Sequence, residues 1–317
     1  MNMPLPPKKK VFIDGREGTT GLRIFERLES RAEIEMIVLP DEIRKDPEAR
    51  KKALHEADVA FLCLPDAAAR ESVALAEGSD VILIDTSTAH RTLEGWAYGF
   101  PELTPAHKSA VEGAKRIAVP GCHASGFISL VYPLVKAGLL PADAALTCHS
   151  ITGYSGGGKK MIAQYEADER EEELDSPRQY ALGQTHKHLP EMQKIPGLVS
   201  APIFCPIVAD YYAGMTVTVP IFAHQLKAGV TVDMLKDCYR NTYKDGLVSY
   251  DESILDGGFA AANPLAGRDI MKVAVAGNEE RILLISHFDN LGKGASGAAV
   301  QCLNLVLGLP MEKGLAL

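Results

Sequence analysis

Four short apolar runs open this chain, each stopped by Gly, Pro, Asp or Ser. The first, "KKVFIDG" (9–15), leads into "GREGTTGLRIFERLESR", where Leu22, Ile24, Phe25 and Leu28 fall close to helical spacing. "EIEMIVLP", "ADVAFLCLP" and "DVILIDTS" repeat the strand pattern, and "AARESVALAEGS" reads as a helix between the last two. Strands alternating with helices bury both faces of a parallel sheet. The pattern therefore predicts βαβ units through about Val119.

The pattern changes at Cys122. A helix is expected from about Ala124 to Lys136, on Phe127, Ile128, Leu130, Val131, Leu134 and Val135, with Pro133 kinking or shortening it. "GMTVTVPIF" and "MKVAVAGNEERILLISHFD" alternate like half-buried strands of a mostly antiparallel sheet. "EADEREEELD" (166–175) reads as a solvated helix face. "GKGASGAAVQCLNLVLGL" begins with small residues and becomes an apolar helix expected to return to the first domain.

The chain has 317 residues and suits two domains, the first formed by 1–121 with 292–317 and the second by 122–291. A net charge of −8 argues against nucleic acid as a partner, because phosphates require a basic face. No apolar run is long enough to span a bilayer, and "MNMPLPPKKK" has no signal-peptide core, so the expected location is the cytoplasm. The six cysteines are scattered without a C-x-x-C pair, which disfavours a disulfide framework or thiolate zinc site.

Four segments carry candidate chemistry. In "DGREGTTGLR", Gly15, Gly18 and Gly21 stand between a strand and a helix, with Thr19 and Thr20 among them. Loop N–H groups and the helix N-terminus there suit a pyrophosphate, so the first domain is expected to be a Rossmann-type dinucleotide fold. The spacing is G-x-x-G-x-x-G, and the loop alone is equally consistent with an ordinary turn; the surrounding βαβ units favour the cofactor. Ser87, in "DTSTAHR", joins the candidate cofactor contacts. The second run ends in "VLPDEIRK", which offers Asp41 to a ribose hydroxyl and Arg44 and Lys45 to a phosphate, so these residues leave NAD and NADP both open.

"PGCHASGF" sets Cys122 at a helix start, where the macrodipole and unpaired N–H groups favour thiolate and could hold an oxyanion. Gly121 is expected to supply an unusual backbone angle that turns the sulfur into a cleft. Cys302 and Cys63 read as core. "GQTHKHLPEM" places His186 and His188 two apart; such pairs more often decorate loops, but a cysteine nucleophile needs an acid–base partner. No third ligand stands at metal spacing. "SITGYSGGGKK" reads as a Gly-rich turn able to nest an anion, with Ser155, Gly156 and Lys159 as candidate substrate contacts. Arg91 and Arg178 are further candidates on charge.

Taken in order, "GREGTTGLRI", "DTSTAHR", "YGFPEL", "VPGCHASGF", "SITGYSGGGK", "HKHLPE" and "DNLGKGASGAAVQC" resemble the N-acetyl-gamma-glutamyl-phosphate reductase family, in its short bacterial form, from about Lys9 to Leu309. The resemblance implies an α+β substrate and dimerisation domain of the semialdehyde dehydrogenase kind. It further implies an NADP-dependent reduction of an acyl phosphate in arginine biosynthesis and assembly as a homodimer or homotetramer. Carried onto this chain, Cys122 matches the nucleophile, His186 or His188 the acid–base group, the loop 15–21 the pyrophosphate site and Asn290 a residue beside the nicotinamide. Arg16, Glu17, Thr19 and Thr20 depart from the Ala or Val that related loops often carry. Aspartate-semialdehyde dehydrogenase and aminoadipyl-phosphate reductase share the layout and are alternatives. A non-catalytic NADP-sensing protein on the same fold is the alternative of another class.

Overall fold

A computed structural model describes residues 7–244 and 246–317; the opening segment that bears on export falls mainly in 1–6, outside them. Strands β1 (Lys9–Asp14), β2 (Ile34–Ile37), β3 (Val59–Leu62) and β4 (Ile82–Asp85) alternate with helices α1 (Thr19–Leu28), α2 (Pro47–Glu56) and α3 (Asp66–Leu75). The short β5 (Ala97–Tyr98), α4 (Pro105–Glu112) and β6 (Arg116–Ala118) complete a six-stranded sheet, ordered β2-β1-β3-β4-β6-β5 and parallel throughout. The strand order reverses direction at β1, which opens a crevice between β1 and β3 at their carboxyl ends, where ligands of such sheets bind.

The second half comprises α5 (Cys122–Lys136), β7 (Thr147–Gly153), α6 (Gly158–Tyr165), β8 (Arg178–Gln179), α7 (Leu189–Lys194), β9 (Ile203–Ala209), β10 (Met215–Phe222), α8 (Val232–Thr242), β11 (Val248–Tyr250), β12 (Met271–Gly277) and β13 (Arg281–Phe288). These strands form a seven-stranded sheet ordered β11-β12-β13-β10-β7-β9-β8, in which the β7–β9 and β11–β12 pairs are parallel and the others antiparallel. Helix α5 is buried along nearly its whole length. It lies so close to the sheet that a Cβ on Gly126 would come within 2.4 Å of Val217. The final helix, α9 (Gly297–Val306), packs into the core of the first sheet through Ala298, Val300, Cys302 and Leu303.

Several expectations need correction. Helix α5 begins at Cys122, two residues earlier than its apolar pattern suggests, and runs through Pro133 to Lys136. Pro133 cannot donate to the Ser129 carbonyl, and the hydroxyl of Tyr243, the residue that follows α8, takes that place at 2.7 Å. The acidic run 166–175 is loop and one 3₁₀ turn, Glu172–Asp175, because Arg170 draws Asp175 and Asp210 together instead of facing solvent on a helix. The first four residues of "SITGYSGGGKK" belong to β7, because their backbone groups pair with β9 and β10; the Gly-rich turn starts only after Gly153.

No helix among the described residues is long and apolar enough to cross a membrane. No group of three or more His, Cys, Asp or Glu side chains among them is placed to hold a metal ion.

Candidate active site

Two cavities flank the loop between β1 and α1. The first, of about 270 Å³, lies at the ends of β1 and β2 and is lined by Gly15, Arg16, Glu17, Met36, Arg44 and Lys45, among others. The second is a cleft of about 380 Å³ between the two sheets, lined on one side by Thr20, Thr86 and Arg91 and on the other by Cys122, His186, Lys187, His188 and Asn290.

The loop itself is built to lie against a ligand. Gly15 has φ +86°, and a Cβ on Gly21 would come within 2.5 Å of the Gly15 carbonyl. Gly18 caps α1 with no side-chain hydrogen bond, leaving the first-turn N–H groups free, and the buried Thr19 hydroxyl has no partner among the described residues. An uncapped helix start, an orphaned hydroxyl and a basic first cavity fit a phosphorylated dinucleotide. Asp41 does not line that cavity and pairs with Arg44 at the surface.

At the cleft, Cys122 is the first residue of α5 and is half-buried. Burial pushes its thiol up from the ordinary value, while the His123 N–H, Arg91 and Lys187 pull it down. The net direction is opposite to the expected pull towards thiolate, because desolvation outweighs the helix-start N–H and the two cations. Gly121 has φ −74° and ψ 147°, an extended conformation open to any residue. What its site demands is the missing Cβ, which would stand 2.4 Å from both Arg91 Nη1 and His188 Nε2.

Behind Gly121 lies a buried network. Glu191 accepts from Arg91 Nη1 at 2.8 Å, the Tyr98 hydroxyl at 2.9 Å and the Gly121 N–H at 3.2 Å. Arg91 also donates from Nε to the Val119 carbonyl and from Nη2 to that of Thr86. Each of its nitrogens is thus bonded to protein, while the side chain still lines the cleft.

Three histidine rings cluster beside the cysteine. His186 and His188 centroids are 4.6 Å apart, and His123 is 5.7 and 5.6 Å from them. His123 contacts Ser150 Oγ at 2.6 Å and the Tyr180 hydroxyl at 2.7 Å. Burial lowers His186 to about 4, with Lys187 and Arg91 adding to the effect; His188 is lowered further by burial and the same two cations. All three rings are neutral at pH 7.

Asn290 accepts from the Gly214 N–H at 2.9 Å and donates to Ser155 Oγ at 3.0 Å. Ser155 thus lies behind Asn290, while Gly156 lines the cleft. Three candidates lie elsewhere. Ser87 donates its hydroxyl to Asp85 at 2.7 Å and lines neither cavity; neighbouring Thr86 reaches the cleft instead. Lys159 is exposed and lines neither, and Arg178 is drawn to the Tyr165 hydroxyl at 3.1 Å. Sequence reasoning missed His123, Lys187 and Glu191, each of which stands in a quoted motif beside a residue that was singled out.

Comparison with known proteins agrees with this layout. Residues 10–111 match the semialdehyde dehydrogenase NAD binding domain and 122–290 the semialdehyde dehydrogenase dimerisation domain. The chain is 42% identical to N-acetyl-gamma-glutamyl-phosphate reductase 2 of a Nostoc species over 97% of this chain and 99% of that one. It is 44% identical to the N-acetyl-gamma-glutamyl-phosphate reductase of Burkholderia lata, over 94% and 96%. Among solved structures, aspartate semialdehyde dehydrogenase II of Vibrio cholerae, complexed with ASA, superposes with a TM-score of 0.72 at 17% identity, over 96% and 99% of the two chains. Aspartate semialdehyde dehydrogenase of Candida albicans, solved with NADP, gives 0.66 at 17% identity, over 95% and 98%.

Proposed function

The chain belongs to the N-acetyl-gamma-glutamyl-phosphate reductase family of semialdehyde dehydrogenases, and from that premise we propose that it reduces N-acetyl-glutamyl 5-phosphate to N-acetylglutamate 5-semialdehyde, in arginine biosynthesis, through a thioester on Cys122. The observation that carries this reading is the convergence of Cys122, the histidines, Asn290 and Thr20 from the first turn of α1 on one cleft. The likeness to aspartate semialdehyde dehydrogenases, at 17% identity, extends to the fold and does not carry their substrate.

Cys122 Sγ attacks the acyl carbon, the carbon–oxygen bond to phosphate breaks, and the thiol proton passes through a histidine to the departing phosphate. Bound NADPH would supply the hydride for reduction of the thioester to a hemithioacetal. Its collapse returns the sulfur and releases aldehyde. Hydrogen bonding divides the histidines. His186 Nδ1 accepts from the His188 N–H at 3.1 Å, so the neutral ring carries its proton on Nε2 and donates to the substrate oxygen. His188, with Nε2 against Gly121, is the second of that pair and also lines the cleft. Gly15, Gly18, Thr19, Thr20 and Gly21 would hold the pyrophosphate, Arg44 and Lys45 the 2′-phosphate, and Asn290, which lines the cleft, would contact the nicotinamide.

The same reading makes 1–121 with 292–317 the cofactor domain and 122–291 the substrate domain, in a cytoplasmic homodimer or homotetramer. The sheet face turned away from α5 supports such assembly, since Ile151, Ile203, Phe222 and Leu283 are exposed on it.

Cys122→Ser is the test. It should still bind NADP yet lose turnover by about a thousandfold or more. Turnover near that of the parent protein ends the proposal.

A further inference from the structure

The acyl phosphate brings two or more negative charges into a cleft that has few cations to meet them. Among the described residues, Arg91 and Lys187 are the only lysine or arginine side chains lining it. Arg91 is buried, with every nitrogen bonded to protein and its charge answered by Glu191. Lys187 makes no hydrogen bond or ion pair among the described residues, and it is exposed at the cleft. It lines the cleft together with Cys122, His123, His186 and His188, and its charge bears on all four as well as on Asp66 at the start of α3.

We propose that Lys187 is the substrate-binding residue that receives the phosphoryl group of the acyl phosphate and holds it as it leaves. The assignment rests on the thioester reading above. The substrate has two anionic ends. The phosphate is joined through one oxygen to the carbon that Cys122 attacks, whereas the carboxylate lies at the far end of the carbon chain. A cation clustered with the sulfur and the histidines meets the nearer anion. As the sulfur–carbon bond forms and the carbon–oxygen bond breaks, the phosphate carries away the bonding electron pair and one proton. An ammonium stabilises that growing charge.

The reaction run in both directions tests this with Lys187→Met and Lys187→Arg, an exposed position where neither change threatens folding. Lys187→Met should raise KM for the acyl phosphate, and for inorganic phosphate in the reverse direction, by about tenfold or more, the loss of one charge-assisted hydrogen bond. KM for the aldehyde, which has a carboxylate but no phosphate, should stay unchanged, and Lys187→Arg should restore most of the phosphate affinity. Alkylation of Cys122 by iodoacetamide should be slowed by inorganic phosphate in the parent protein and not in Lys187→Met. An unchanged phosphate KM overturns the assignment, and so does an equal rise in aldehyde KM, which would make Lys187 a carboxylate contact. Cys122→Ser assayed alongside separates the two readings: active, it defeats the thioester; inactive, it leaves the phosphate KM values to decide for Lys187 alone.

Discussion

Arg91 Nη1 donates to Glu191 Oε1 at 2.8 Å, across 100 residues of sequence, with both side chains buried. The same carboxylate holds the Gly121 N–H and the Tyr98 hydroxyl. One ion pair therefore ties the loop after β4, the residue preceding the nucleophile and the start of α7 into a single support. Removing one partner strands the other charge in the interior. Glu191→Ala should lower stability by about 3–5 kcal/mol, read from urea denaturation. A midpoint equal to that of the parent protein would show that the network contributes nothing to the fold.

Gly121 is the narrowest point of that support. An alanine there keeps an allowed backbone conformation, since φ is −74°, but its Cβ would stand 2.4 Å from Arg91 Nη1 and His188 Nε2. Either the histidine or the helix start must move. A shift of about 1 Å in a reacting group costs about a hundredfold in rate, so Gly121→Ala should fold and lose about that much kcat. Full activity would mean that His188 does not need its present position.

Much of this was legible in sequence where the pattern is local. The β1 strand, the glycine turn and α1 announce themselves because backbone geometry and apolar period act over a few neighbours. The motifs of Cys122 and Asn290 single out two residues that line one cleft. The fate of each polar side chain was not, since that depends on partners far along the chain. Ser87 looks like a cofactor contact until Asp85 takes its hydroxyl, and nothing local to Arg91 announces that Glu191, Val119 and Thr86 bond its three nitrogens. The Cys122 thiol obeys the same lesson. Helix position is readable and favours thiolate, but burial is a tertiary property and pushes the other way.

The first cavity makes a prediction about cofactor choice. Arg44 and Lys45 line it, and Asp41, the acidic residue that could have bonded a ribose hydroxyl, does not. Replacing both cations by alanine should raise KM for NADPH by about tenfold or more while leaving KM for NADH nearly unchanged. Affinity for 2′,5′-ADP, measured by calorimetry, should fall in parallel. Equal losses for both cofactors would place the 2′-phosphate elsewhere.

Acid should unfold the protein earlier than its carboxylates alone would dictate. His287 on β13 is 1% exposed and its Nε2 has no partner among the described residues. Burial lowers it from 6.5 to about 4. Between those values the unfolded chain binds a proton that the folded chain does not, so stability is level above pH 6.5 and declines as pH falls towards 4. One such histidine contributes about 1.4 kcal/mol per pH unit across that window. His107, His123, His186 and His188, also lowered by burial, steepen the decline. His287→Gln removes one of these groups, so its loss of stability between pH 6.5 and 5 should be smaller than the parent's by about 2 kcal/mol. Urea denaturation at the two pH values measures the difference, and an identical loss in both proteins would show that His287 protonates as readily folded as unfolded.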